Sequence, residues 1–171
     1  MSQARSIPPS PVSAAAFRRA LGQFVTGVTV VTALDANRRP EGVTVNAFAS
    51  LSLAPPLVLV CLARATRLTP IFESASHFAV NVLADRQRHL SVSFSRADND
   101  RFHAVAWGTW TSGAPILEGC VANLECARIG CHDGGDHVIL IGQVERLACD
   151  EKRAPLLFAR GDYHRLGKEI P

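Results

Sequence analysis

Gly27-Val28-Thr29-Val30-Val31-Thr32-Ala33-Leu34, closed by Asp35-Ala36-Asn37, is the stretch that decides the fold class. It is dominated by Val and Thr, whose branched Cβ suits an extended backbone, and it ends in turn-forming residues. Upstream the period is different. Ser13 is placed to cap a helix whose Phe17, Ala20, Leu21 and Phe24 share one face, and Gly22 and Gly27 mark its end and the entry into the strand. Downstream, extended patterning continues. Val43 to Leu53 reads as a second strand, with Thr44, Asn46 and Ser50 on one parity and Val43, Val45, Ala47, Ala49 and Leu51 on the other. Pro55 and Pro56 end it. Leu57-Val58-Leu59-Val60-Cys61-Leu62 is apolar at both parities, as expected of a central strand covered on both faces.

The remaining chain keeps this character. Thr69-Pro70 reads as a helix cap followed by proline at the first helical position, with Glu73 in the first turn. Phe78 to Leu83 is a further strand, Asp85 caps another short helix, and Ala97 to Gly119 is a loop carrying Trp107 and Trp110. Strands follow at Val121–Ile129 and His137–Leu147, and Leu156 to Tyr163 runs from apolar to polar. Many short strands and few helices predict a closed or nearly closed β-barrel, not a parallel sheet. No G-x-G-x-x-G leads from a strand into a helix, which argues against a Rossmann domain whatever nucleotide the protein uses.

Composition narrows the function classes. The 171 residues are 47% hydrophobic and 19% charged, a globular balance with enough chain for one core. A net charge of +3 without a basic run argues against a nucleic-acid groove, yet favours a small anionic ligand. The longest apolar stretch, Ala54 to Ala63, is too short to span a bilayer. Five cysteines in no C-x-x-C spacing fit a reducing cytoplasm. Cys131-His132-Asp133 with His137 invites a metal reading, which fails for want of a second ligand pair at regular spacing. Residues 1–12 are expected to be a disordered tail and 13–171 a single domain.

Seven segments occur in a telling order: Phe17 to Thr32, Asn46 to Pro56, Phe78 to Leu83, Asp100-Arg101-Phe102, Gly113 to Leu117, Gly135-Asp136-His137 and Arg160-Gly161-Asp162-Tyr163. In this series the chain resembles the short-chain flavin reductases, the reductase components of two-component flavin monooxygenases. The resemblance implies a mainly β, Greek-key split β-barrel with a few short flanking helices, assembled as a homodimer. It implies FMN or FAD in a groove near the dimer interface, NADH or NADPH stacked on the flavin, and a monooxygenase that receives reduced flavin by diffusion. A flavin-binding protein without turnover, or a reductase of a corrin or ferric chelate in the same fold, are the alternatives.

Each segment has its own chemistry under that resemblance. Gly42, Val43, Thr44, Asn46, Ala47 and Ser50 would bring backbone N–H groups close to the flat ring, where they favour the negative charge of reduction. Cys61, Leu62, Ala63, Arg64, Thr66 and Arg67 run from the central strand toward a helix start, a natural site for the flavin phosphate. Ser93 and Phe94 would line the flavin tail, although Phe94 also fits core packing. Phe158, Ala159, Arg160, Gly161 and Tyr163 would help hold the dinucleotide; Arg160 could equally pair with Asp162. His137, after the glycine turn, would position hydride donor and acceptor, with Asp136 orienting either the loop or the imidazole and a structural strand-opening histidine as the alternative.

Overall fold

In the computed structural model, which describes residues 11–96, 101–103 and 105–168, the β-branched run becomes β2 (Thr29–Leu34), a strand buried on both faces. Helix α1 (Ala14–Leu21) precedes it, capped by the Ser13 hydroxyl, which accepts from the Ala16 N–H at 3.2 Å. The other helices are short: α2 (Thr69–Ser74), a 3₁₀ turn (Asp85–Gln87) and α3 (Arg88–Ser95). The strands are β1 (Thr26–Gly27), β2, β3 (Pro40–Val45), β4 (Phe48–Leu53), β5 (Pro56–Ala63), β6 (His77–Val82), β7 (Trp107–Thr109), β8 (Pro115–Leu117), β9 (Ala122–Gly134), β10 (His137–Cys149), β11 (Leu157–Ala159) and β12 (Asp162–His164). Seven of them form one antiparallel sheet in the order β3-β2-β6-β9-β10-β5-β4.

That order forces the sheet to curl. β3 and β4 are its two edges, yet only Asn46 and Ala47 separate them in the chain. Laid flat, seven strands would hold those edges about 29 Å apart, at about 4.8 Å per strand spacing. The three Cα steps from Val45 to Phe48 reach no more than roughly 11 Å. The sheet therefore rolls until its two edges come together at that link, with register shifts near Gly142 and Arg146 sharpening the twist. The result is a split barrel. Its interior is filled by Val31, Val45, Val58, Val60, Leu62, Phe72, Phe78, Val80 and Leu140. A second cluster, with Val28, Val30, Leu83, Leu90, Phe94 and Leu117, fills the space between the sheet and α3.

Several local expectations change. The strand read as Val43–Leu53 is two strands, because its middle is the crossing from one sheet edge to the other. Thr69 is the first helical residue and not the cap; its hydroxyl donates instead to the Ala63 carbonyl at 2.8 Å. Glu73 lies beyond the first turn of α2, 3.9 Å from Arg64. Asp85 opens its 3₁₀ turn from inside, while Gln87 accepts from the Ala84 N–H at 2.9 Å. Within the expected loop Ala97–Gly119, β7 and β8 pair as a hairpin. Asp100 and most of the expected tail lie outside the described residues.

One buried polar residue ties these layers together. Asn81 on β6 is fully buried and donates to the Val30 carbonyl (3.0 Å) and the Thr32 hydroxyl (3.1 Å). Its Oδ1 accepts from the Leu117 N–H and from Asn123 Nδ2, both at 2.8 Å. Every hydrogen-bonding capacity of the amide is used, so strands β2, β6, β8 and β9 are held in one register. Asn81→Leu keeps the branched outline of the side chain but leaves the Leu117 N–H without its partner. We expect a loss of about 3 kcal/mol of unfolding free energy, read as a lower urea midpoint at unchanged slope.

Candidate active site

The point where the sheet edges meet is also where the surface opens. Ala47 O accepts from the Cys61 N–H at 2.9 Å, docking the Asn46–Ala47 link onto β5. Asn46 Nδ2 reaches Thr26 Oγ1 at 3.4 Å, and β1 in turn pairs with β11 in a small sheet, β1-β11-β12. Between the link, the outer face of β5, α1 and the β11–β12 turn lies a groove of about 670 Å³. Its walls are mainly apolar: Leu21, Phe24, Ala47, Phe48, Leu59 and Phe158 among them, with Arg18 and Arg160 supplying the positive charge. Such a volume and lining suit a medium-sized organic ligand.

β5 explains why the groove was hidden in the sequence. Its apolar character at both parities predicted cover on both faces. Val58, Val60 and Leu62 do point into the core, but Leu57, Leu59, Cys61 and Ala63 are only half-buried. They form an apolar floor that no described segment of this chain covers.

Arg160 carries a second local signal. β11 and β12 are joined by Arg160-Gly161, both with positive φ (53° and 87°), the geometry of a type I′ turn. Arginine is uncommon there, so its conformation is imposed by its surroundings. The Arg160 N–H donates to Gly22 O at 2.8 Å and its Nε to Gln23 Oε1 at 2.9 Å. The expected alternative pairing with Asp162 does not form; Asp162 Oδ1 accepts from the Tyr163 N–H. Tyr163 stands behind Phe158, edge-on at 5.3 Å, with its hydroxyl 2.8 Å from Ser91 Oγ.

His137 sits on the same sheet face. It lies directly opposite Ala63, and Ile139 directly opposite Cys61, so these side chains share the outer side of the sheet with the groove floor. The turn before it, Gly135-Asp136, has positive φ at Gly135 alone (75°), a type II′ hairpin. His137 Nδ1 and Asp136 Oδ1 are 2.6 Å apart. That hydrogen bond, then the charge of His137, holds the Asp136 carboxyl below its usual range, with Arg18 on the groove wall adding to the effect. The histidine is thereby oriented through one nitrogen while the other stays available.

Other sequence-selected residues fall elsewhere. Gly42 is buried beneath Phe94: a Cβ there would stand 2.8 Å from the Phe94 ring, so core packing and not ligand approach requires glycine. Phe94 and Leu62 are fully buried core side chains. Val43 packs against the barrel core, and the Thr44 hydroxyl donates to Ser91 O. Ser50 is exposed beyond the groove, and Ser93 is half-buried on α3. Arg64 is occupied with the β9–β10 turn: its Nη2 donates to Asp133 Oδ1 at 2.7 Å. Arg67 stands 3.9 Å from Glu41, and Thr66 Oγ1 accepts from the Leu68 N–H. Sequence reasoning missed Arg18, Leu21, Phe24, Thr26, Phe48, Ala49 and Leu59 as groove residues. The exposed apolar face of α1 was the available signal, since Phe17, Leu21 and Phe24 are all more than half exposed.

A split barrel with an uncovered apolar groove, two arginines at that groove and a carboxylate-oriented histidine on the adjoining face is suited to a medium-sized anionic organic ligand. Comparison with known proteins agrees. Residues 21–167 match the family described as flavin reductase like domain. The chain is 42% identical over 161 residues to an FMN reductase (NADH), SmoA, of Agrobacterium fabrum, covering 94% of this chain and 91% of that one. It is 42% identical over 149 residues to HsaB, the reductase subunit of a flavin-dependent monooxygenase of Mycobacterium tuberculosis, covering 86% and 79%. The solved NADH:FAD oxidoreductase SgcE6 of Streptomyces globisporus, in complex with NAD and FAD fragments, superposes with a TM-score of 0.90 at 36% identity, over 97% of this chain and all of that one. The chain belongs to the flavin reductase-like family.

Cys61 offers a direct probe of the groove. Burial raises its thiol pKa. Alkylation therefore accelerates as pH rises and stays slow at neutrality, because only the thiolate reacts. Saturating FMN is expected to slow labelling of Cys61 at least about tenfold, the shift in access produced by a ligand held in excess over its dissociation constant. Labelling of the exposed Cys131 and Cys149 should be unaffected, as peptide mass mapping will show.

Proposed function

We propose that the groove over β5 is where this NAD(P)H-dependent flavin reductase holds FMN or FAD, and that Asp136 and His137 set the nicotinamide against it. The observation that carries this reading is the half-buried floor of Leu59, Cys61 and Ala63, continuous across the strand pair with Ile139 and His137. Apolar side chains left open in this way favour a flat ring over water.

The chain's own residues then have distinct tasks. The Asn46–Ala49 segment and Cys61 bound the ring, with exposed backbone at Asn46 and Ala47 able to approach its polar edge. Thr66 and Arg67, in the loop that follows β5, and Ser93 on α3 serve the phosphate-bearing tail. Arg18, Arg160 and Phe158 meet the second nucleotide. When bound, the flavin supplies the hydride-accepting centre. No protein group needs to donate a proton for that transfer, so His137 acts by position and charge. Reduced flavin is then released to a monooxygenase, and release requires non-covalent binding.

A second copy of this chain completes the site. Phe17, Leu21, Phe24 and Val25 are 55, 57, 75 and 52% exposed, and two of them wall the groove. A contiguous apolar patch of this kind marks an interface. Five free thiols are in keeping with a cytoplasmic setting. Among the described residues no helix is long and apolar enough to cross a membrane.

Two outcomes check this reading. Sedimentation at micromolar concentration should give a dimer, and Phe24→Asp should shift it to monomer with weaker flavin binding. His137→Ala should reduce flavin about a hundredfold more slowly in stopped-flow with saturating NADH, as expected for misplaced reactants, while the flavin dissociation constant stays close to the parent value. A wild-type rate would mean that His137 only opens a strand.

A further inference from the structure

The tip that carries Asp136 and His137 projects from the sheet, and residues 131–136 are exposed. Within its own hairpin it is held only by the β9–β10 ladder, ending at the Gly134–His137 pair. From outside, the β5–β10 ladder reaches the tip at its last pair, His137 with Ala63, and Arg64, the first residue after β5, carries the hold on into the turn. The Arg64 N–H donates to Asp136 O at 2.9 Å, adding one bond to the β5–β10 ladder beyond its last pair. The side chain then folds back over the turn. Nε donates to Gly135 O at 3.2 Å and Nη2 to Asp133 Oδ1 at 2.7 Å, while Nη1 stands 3.9 Å from Glu73 on α2. Three groups of one residue thus hold the turn at Asp133, Gly135 and Asp136, and the fourth contact ties that hold to the helix behind the 64–68 loop.

We infer that Arg64 is a positioning residue: it locks the Asp136–His137 tip to the loop that follows β5, so the spacing of the two nucleotide sites depends on a side chain that touches neither. This rests on the reading of His137 given above and adds a residue to it. It also reassigns Arg64, whose place in the sequence suggested a phosphate contact. The planar guanidinium is suited to this task because its fork can bond a carbonyl and a carboxylate at once, which a lysine cannot do. Asp133 is the other half of the clasp, its carboxyl held below the usual range chiefly by the hydrogen bond from Arg64. Both side chains are well exposed, at 45 and 79%, so the pair adds little to global stability and its loss should leave the barrel folded.

The test compares Arg64→Ala, Asp133→Ala, the double variant and His137→Ala. Amide hydrogen exchange over residues 131–138 reads the tip without reference to turnover. We expect exchange there to rise about fivefold or more in Arg64→Ala, the signature of local opening, with the melting temperature unchanged. Flavin reduction at saturating NADH should fall about three- to tenfold, as a modest misplacement predicts. Affinities for FMN and riboflavin should both be unchanged. Asp133→Ala should show the same pattern more weakly, and the double variant should be no worse than Arg64→Ala, because the two act as one clasp. Unchanged exchange at the tip would overturn the proposal. So would a selective loss of FMN affinity with riboflavin binding intact, which would make Arg64 a phosphate ligand. A wild-type rate in His137→Ala would refute the catalytic reading of the tip, and the positioning role with it; faster exchange in Arg64→Ala would then identify a structural clasp alone.

Discussion

The structure depends on one constraint of chain length. Two residues, Asn46 and Ala47, join strands at opposite edges of a seven-stranded sheet. The sheet cannot lie flat while that link is so short, so it rolls, and the rolled sheet has an inside. The same link creates the site. At the link, Ala47 continues the β4–β5 pairing by accepting from the Cys61 N–H, and beside it lies a groove whose floor is the outer face of β5. Fold and binding surface therefore share a single cause.

Closure in this manner leaves polar atoms inside, and they specify the register. Asn81 satisfies groups on β2, β8 and β9 from its place on β6. Glu125 on β9 does comparable work for the segment between β7 and β8. Its fully buried carboxylate accepts from the Ser112 N–H at 2.9 Å and from the Ser112 hydroxyl at 2.6 Å, with Arg146 Nε 3.7 Å from its other oxygen. A slip of one residue in either strand would strand these groups without partners, which costs more than the hydrogen bonds themselves contribute. The apolar core sets compactness, and these two side chains select one alignment among several that would bury similar area.

The site is assembled from parts of different rigidity. β5 and β10 are central ladder strands with buried neighbours, so Cys61, Ala63 and the base of His137 are well held. Of the remaining walls, α1 buries none of its residues, and its end is tied to the Arg160-Gly161 turn by the bond from Arg160 N–H to Gly22 O. A rigid floor with looser walls suits a ligand that enters and leaves at every turnover.

Sequence alone determined the class of structure and much of the chemistry. Alternating and β-branched runs, the absence of a phosphate-binding glycine fingerprint and seven ordered segments were sufficient for a split-barrel flavin reductase, because those signals are local or are carried by resemblance. That Asn46, Ala47, Cys61 and Phe158 to Gly161 would share one surface, and that Asp136 would stand beside His137, was legible for the same reason. What the sequence could not show was which face each residue turned toward, since that depends on partners far away in the chain. β5 looked buried on both sides because hydrophobicity records a preference for cover without naming what supplies it. Gly42 looked like a ligand approach, but Phe94, distant in sequence, occupies the space above it. Arg64 stands in a run suited to a phosphate, and only the packing of the β9–β10 turn against the end of β5 revealed the carbonyl and the carboxylate that its guanidinium bonds.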